Sequence, residues 1–102
     1  MKARRTVLTT RQYLIRGQVQ GVGFRLFTQE TALREGLVGK VANRDDGAVE
    51  AIAEGGFESL ARFEAALRKG PPGSRVEGLE VEEGKPLGLD SGFTIVAGDA
   101  WI

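Results

Sequence analysis

The chain has 102 residues, 41% of them hydrophobic, which is the size and composition of one globular domain. Its 14 Lys and Arg balance its 14 Asp and Glu, so it lacks the basic surplus typical of proteins that bind nucleic acid. It contains neither Cys nor His, which excludes disulfides, zinc–thiolate centres, thiolate nucleophiles and the commonest general base.

The N-terminal residues 1–11 predict a polar arm that precedes a single domain over residues 12–102. Four of these residues are basic and they show no periodic pattern. Thr9, Thr10 and Arg11 interrupt the apolar stretch too early for a signal peptide, and no stretch is long enough to cross a membrane. We therefore expect a cytoplasmic protein with no membrane partner.

The first half of the chain predicts a strand, a helix and a hairpin. Alternating apolar residues indicate a strand over residues 13–19. A helix is expected over residues 24–35, ended by Gly36 in a left-handed conformation. The runs "LVGKVAN" and "AVEAIAE" predict two further strands, joined at Asp46-Gly47 by a typical hairpin turn. The apolar stripe expected on the helix contains Leu26, Phe27, Ala32 and Leu33.

The second half predicts another helix and the remaining strands. "GFESLARFEAALRKGPP" indicates a helix ended by Gly70 and Pro71. Strands are expected around residues 76–81 and 92–96. The order βαββαβ predicts an α+β protein with the ferredoxin-like α/β sandwich, in which two helices cover one face of an antiparallel sheet, with an extra C-terminal strand as a variant. The face expected to be apolar on this helix contains Phe57, Leu60, Phe63, Ala66 and Leu67.

The segment "GQVQGVGFR" at residues 17–25 places a flexible loop between the first strand and the first helix. Gly21 and Gly23 let the backbone N–H groups curl inward, and a helix N-terminus attracts anions. Arg25 adds a bidentate positive contact. A dinucleotide loop does not fit because Leu26 replaces the third glycine, and the P-loop lysine is missing. An anion site and a steric turn beside a solvated arginine both remain open.

Asn43 ends the second predicted strand. The right-handed crossover through the first helix makes strands one and two parallel, so their C-terminal ends, with Arg25 and Asn43, meet at one sheet edge. The Asn43 amide can orient a water beside a bound anion, although a turn role is the alternative. Asp45 and Asp46 are expected to be hairpin and surface residues rather than catalytic acids or metal ligands.

Several stretches together carry a family resemblance. They are "GQVQGVGFR", then "GLVGKVANRDDGAVE" at residues 36–50, "F…L…GP" through the second helix, and Phe93 with Ile95. This combination, over about residues 12–96, resembles the acylphosphatase family. Lys40, where an aromatic residue is frequent, and the ending "VAGDAWI" depart from the family pattern.

The resemblance implies roles for individual residues. Arg25 would bind the phosphate of the substrate, and Asn43 would position the attacking water. A backbone cradle would complete the site, and no metal ligand is implied. The cradle residues are Gln20, Gly21, Val22, Gly23, Phe24 and Arg25.

The implied reaction is hydrolysis of an acyl phosphate to a carboxylate and orthophosphate. The leaving carboxylate needs no protonation because the pKa of its conjugate acid is about 4. A loose phosphoryl-transfer transition state also needs no strong base. This chemistry suits a chain without His or Cys, and it requires no cofactor. We expect a monomer that acts on a small-molecule acyl phosphate.

Three other interpretations share the predicted topology. The main alternative is a non-enzymatic ferredoxin-like module that binds a small anion or a protein. A domain of a larger carbamoyl-transfer enzyme is disfavoured by the self-contained length. An RNA-recognition domain is disfavoured because "AVEAIAE" offers no exposed aromatic residues and no basic face.

Overall fold

Five strands and two helices make up the computed structural model, which describes residues 8–97. The strands form one sheet in the order β4-β1-β3-β2-β5, in which β5 is parallel to β2 and the other neighbours are antiparallel. The predicted element order is confirmed, including the extra C-terminal strand. The elements are β1 (Thr9–Gln18), α1 (Phe24–Arg34), β2 (Val38–Asn43), β3 (Val49–Gly55), α2 (Phe57–Lys69), β4 (Arg75–Glu83) and β5 (Phe93–Ile95).

Strands β1 and β2 run in the same direction although they are not neighbours. Each pairs antiparallel with β3, which lies between them. Their C-terminal ends therefore lie at the same edge of the sheet, as the right-handed crossover through α1 predicts. This edge receives both the loop that follows β1 and the residue that ends β2.

The hydrophobic core lies between the sheet and the two helices. Tyr13 and Ile15 on β1 are buried on the helix-facing side, because alternate side chains of a strand point to the same face. Leu60, Phe63 and Leu67 are fully buried on α2 at the spacing of one helical face. The Tyr13 and Phe63 rings meet edge to face with centroids 5.4 Å apart.

The buried face of α1 differs from the predicted stripe. Leu26 and Leu33 are 53% and 52% exposed, whereas Thr28 and Thr31 are buried. The threonines can lie in the core because each hydroxyl donates to the carbonyl oxygen four residues earlier, at 2.8 Å. The two threonines, whose hydroxyls are hydrogen-bonded within the helix, thus lie in the core in place of the two leucines that were expected there.

Phe57 also departs from the predicted apolar face of its helix. It is the first residue of α2 and is 63% exposed. The Arg11 guanidinium lies over its ring, 5.4 Å from the centroid, which is a cation–π contact. Phe57 therefore packs against a charged side chain of β1 rather than against the core.

The first strand begins earlier than predicted, at Thr9. Residues 9–11 of the expected arm therefore belong to β1, and residues 1–7 lie outside the described residues. Thr10 is buried and its hydroxyl donates to the Glu54 carboxylate, while Arg11 forms an ion pair with Glu64 of α2. These polar side chains enter the sheet because β3 and α2 supply charged partners. The unusual C-terminal ending is described only as far as residue 97.

The Glu54 carboxylate also anchors the loop of residues 84–92 between β4 and β5. Its Oε2 atom accepts a hydrogen bond from Thr10 at 2.5 Å and another from the backbone N–H of Leu87 at 3.2 Å. Thr10 is the second residue of β1 and Glu54 the penultimate residue of β3, so this contact lies at the sheet end opposite the glycine loop. Within residues 8–97, no helix has the length and apolar character needed to cross a membrane.

Candidate active site

The loop between β1 and α1 has the curled backbone that its glycines predict. Gly21 and Gly23 have φ angles of 75° and 77°, a left-handed conformation that glycine adopts without steric cost. Gly23 is also the N-cap of α1, and because it has no side chain, the first N–H groups of the helix receive no side-chain cap. These groups can therefore donate to an anion bound at the loop.

The side chain of Gln20 connects this loop to the β2–β3 hairpin. Its Nε2 atom donates to the carbonyl oxygens of Arg44, at 2.7 Å, and Ala48, at 2.9 Å. Arg44 directly follows Asn43, so the two bonds hold the loop beside the end of β2. The sequence predicted only a backbone role for Gln20, because no spacing pattern points to carbonyl partners so far along the chain.

Arg25 and Asn43 line one cavity of about 220 Å³ at this edge of the sheet. The structure thus brings together the two side chains that the sequence predicted to meet. Gln20 instead bonds to the hairpin, and Val22 packs against the core. The other residues that line the cavity are Val19, Gly21, Gly23, Phe24, Leu26 and Ile95.

The positive charge of Arg25 is available to a ligand. Its side chain is exposed, and within residues 8–97 no carboxylate forms an ion pair with it. The cavity is therefore lined by an arginine whose charge no carboxylate of the described residues neutralises. Among residues 8–97, the arginines that form ion pairs are Arg11, Arg16, Arg44 and Arg62.

The side-chain oxygen of Asn43 is buried and accepts no hydrogen bond from the described residues. An unsatisfied buried acceptor costs roughly 1–3 kcal/mol, so proteins seldom retain one without a partner. A water or ligand donor in the cavity would satisfy this oxygen. The simple turn role considered for Asn43 does not explain the unsatisfied acceptor.

Asp46 shapes the hairpin that follows Asn43. Its carboxylate accepts a hydrogen bond from the Ala48 N–H at 3.1 Å and pairs with Arg44 at 3.2 Å. The Arg44 guanidinium, and then the Ala48 N–H, hold the pKa of Asp46 below its ordinary value. The predicted hairpin role of Asp46 is confirmed. Among the residues that the structure describes, no three Asp, Glu, His or Cys side chains group to hold a metal ion.

A larger cavity of about 580 Å³ lies on the sheet face away from the helices. Lys40 and Ile52 form part of its floor, and residues 83–87 form its wall. It contains neither the curled glycine backbone nor the unsatisfied amide oxygen. The smaller cavity at Arg25 is therefore the better candidate for an active site.

Comparison with known proteins agrees with this geometry. The family model described as Acylphosphatase matches residues 11–95. An acylphosphatase of Bacillus velezensis is 55% identical over 71 residues, which are 70% of this chain and 79% of that protein. An acylphosphatase of Thermus thermophilus is 48% identical over 82 residues, which are 80% of this chain and 92% of that protein.

Solved structures show the same relationship. The crystal structure of acylphosphatase from Bacillus subtilis matches with a TM-score of 0.82 and 42% identity, covering 88% of this chain and 99% of that one. Full-length HypF in its phosphate- and nucleotide-bound form matches with a TM-score of 0.86 and 30% identity, covering 94% of this chain but 13% of that one.

Fold and site together define a ferredoxin-like α+β protein with a cavity beside its glycine loop, at one edge of the sheet. The family model covers most of the chain, and curated relatives are about half identical to it. The chain belongs to the acylphosphatase family.

Proposed function

We propose that this protein hydrolyses the carboxyl–phosphate bond of small-molecule acyl phosphates, releasing a carboxylate and orthophosphate. One observation carries the proposal. Arg25, which forms no ion pair among the described residues, and Asn43, whose side-chain oxygen is buried and unsatisfied, line the same cavity beside a curled glycine backbone. An anion-binding module would use the first of these features but has no use for the second.

The phosphoryl group binds at the glycine loop. Arg25 and the backbone N–H groups of residues 20–24 donate to its oxygens, and the N-terminus of α1 adds partial positive charge. In the transition state, negative charge is spread over the same oxygens. Preorganised donors of this kind are each worth on the order of 3 kcal/mol of transition-state stabilisation.

The attacking water binds at Asn43. Its Oδ1 atom accepts a hydrogen bond from the water and orients the water oxygen toward phosphorus. The new bond from water to phosphorus forms as the bond from phosphorus to the carboxylate oxygen breaks. The water proton passes to a phosphate oxygen, and the bonding electrons leave with the carboxylate.

No acid, base or metal ion is required for this step. The carboxylate is a stable leaving group, with a conjugate-acid pKa of about 4. Arg25 and the helix terminus supply the positive charge that a metal would supply elsewhere. Both side chains come from one chain, which supports action as a monomer. We expect activity to persist in the presence of a metal chelator.

The assay is direct. Purified protein is incubated with benzoyl phosphate, and the loss of ultraviolet absorbance is followed with and without chelator. Turnover that orthophosphate inhibits competitively is the expected result. A folded protein that binds orthophosphate but does not hydrolyse benzoyl phosphate would instead be a binding module, and the proposal would be wrong.

A further inference from the structure

Leu26 exposes apolar surface inside the candidate active site. It follows Arg25 in the first turn of α1, lines the same cavity, and is 53% exposed. When an apolar ligand group covers a large apolar side chain that was exposed to water, the free energy falls because apolar surface is removed from water. The phosphate oxygens cannot be that group, because they are charged.

The apolar wall at Leu26 continues onto β5. Ile95 is half-buried and lines the same cavity. Gln29, one turn after Leu26, donates from its Nε2 atom to the carbonyl oxygen of Phe93 at 2.8 Å, which holds α1 against β5. The two apolar side chains therefore lie on elements that are joined before any ligand binds, so little ordering is needed on binding.

We propose that Leu26, backed by Ile95, contacts the acyl group of the substrate and selects acyl phosphates with an apolar acyl group, such as an aromatic one, over acetyl phosphate. This inference rests on the proposed function, because only a phosphate held at Arg25 brings its acyl group to Leu26. An acetyl group is too small to cover the leucine. A phenyl ring covers it and removes apolar surface from water.

A second leucine of α1 supplies a matched control. Leu33 is 52% exposed, lies seven residues after Leu26 on the same helix face, and is outside the cavity lining. Leu26→Gln and Leu33→Gln make the same chemical change at equal exposure, and glutamine is a good helix former. A general effect of polarity on α1 would appear in both variants.

The experiment measures kcat/KM of the wild type and both variants with benzoyl phosphate and with acetyl phosphate, and the inhibition constant of orthophosphate. We expect Leu26→Gln to lower kcat/KM for benzoyl phosphate about fivefold and to leave that for acetyl phosphate within about twofold. The orthophosphate inhibition constant stays unchanged, and Leu33→Gln changes none of these values.

Other outcomes separate the two proposals. Equal loss on both substrates in Leu26→Gln, no loss on either, or the same loss in Leu33→Gln would overturn the role of Leu26 and leave the proposed function intact. A wild type that hydrolyses neither substrate would overturn both proposals together.

Discussion

Gln20 and Arg44 are 24 residues apart in the chain, and a hydrogen bond of 2.7 Å joins the side-chain amide of the first to the carbonyl oxygen of the second. The same nitrogen donates to Ala48 at 2.9 Å. The loop proposed to hold phosphate and the strand end that carries Asn43 are therefore connected without any ligand. Such a connection fixes the geometry of a site before substrate arrives, which reduces the entropy lost in the transition state.

Gln20→Ala should impair turnover more than phosphate binding. The substitution removes both hydrogen bonds to the hairpin, so the loop and Asn43 lose their fixed separation, while the backbone N–H groups remain. We expect kcat to fall about tenfold, with the orthophosphate inhibition constant within about threefold of wild type. Steady-state kinetics with benzoyl phosphate checks this.

Gln18→Ala is the control, because Gln18 is exposed at the end of β1. It should leave kcat unchanged. Equal effects of the two substitutions, or a pure rise in KM for Gln20→Ala, would show that the Gln20 side chain does not position Asn43.

Arg25→Ala should abolish phosphate binding and turnover together. The substitution removes the arginine from the cavity, and no other Arg or Lys among the described residues lines that cavity to replace its bidentate contact. A loss of at least about 100-fold in kcat/KM is expected, with no measurable inhibition by orthophosphate. Arg34→Ala, in the last turn of the same helix, controls for removal of one positive charge. Retained orthophosphate inhibition in Arg25→Ala would contradict the assignment.

Asn43→Ala should have the opposite signature, in which binding remains and chemistry is lost. Water would no longer be oriented toward phosphorus, and we expect kcat to fall about 100-fold while the orthophosphate inhibition constant changes little. The variant should keep a stability close to that of the wild type in urea unfolding, because the Asn43 side-chain oxygen accepts no hydrogen bond from the described residues. Near wild-type kcat would refute the water-positioning role.

Tyr13 should make the protein less stable at alkaline pH. Burial, reinforced by the nearby Glu64 carboxylate, raises the pKa of the Tyr13 phenol above its ordinary value of about 10. Above about pH 10 the unfolded chain therefore releases this proton while the folded protein keeps it. The stability contributed by the neutral phenol is complete below that pH and decreases as pH rises, by up to about 1.4 kcal/mol per pH unit.

Tyr13→Phe isolates this effect. At neutral pH the variant loses the hydrogen bond to Glu64 and should be less stable by about 1 kcal/mol. Urea unfolding of both proteins from about pH 8 to about pH 11 should show the difference shrinking or reversing as pH rises. A constant difference across this range would mean that Tyr13 does not titrate on unfolding.

The fold could be predicted largely from local patterns and chirality. The glycines that end the helices, Gly36 and Gly70, have φ angles of 72° and 70°, and glycine identity alone signals these positions. The parallel direction of β1 and β2 follows from the handedness of the crossover. The exposure of Leu26 and Leu33 could not be predicted. Thr28 can take a buried position on the helix only because its hydroxyl donates to the Phe24 carbonyl oxygen, and this hydrogen bond forms only in the folded helix.

The candidate site also has some features that the sequence could predict and others that it could not. Arg25 and Asn43 could be placed together, since topology determines which strand ends share an edge. The two bonds of Gln20 could not, because a side-chain amide gives no indication of which distant carbonyl it will meet. The sequence also could not predict that the Asn43 side-chain oxygen is unsatisfied, because this depends on which hydrogen-bond donors all the neighbouring elements leave free.

The Glu54 carboxylate joins the start of β1 to the loop of residues 84–92 at the end of the sheet opposite Arg25. In this arrangement, the contacts of Glu54 that stabilise the fold and the candidate active site at Arg25 lie at opposite ends of the sheet. We expect changes around Glu54 to alter the stability of the folded chain and to leave the rate of the proposed reaction unchanged. On the proposed function, evolution or engineering can therefore adapt the protein to a hotter or harsher environment without redesigning the end of the sheet proposed to bind the substrate.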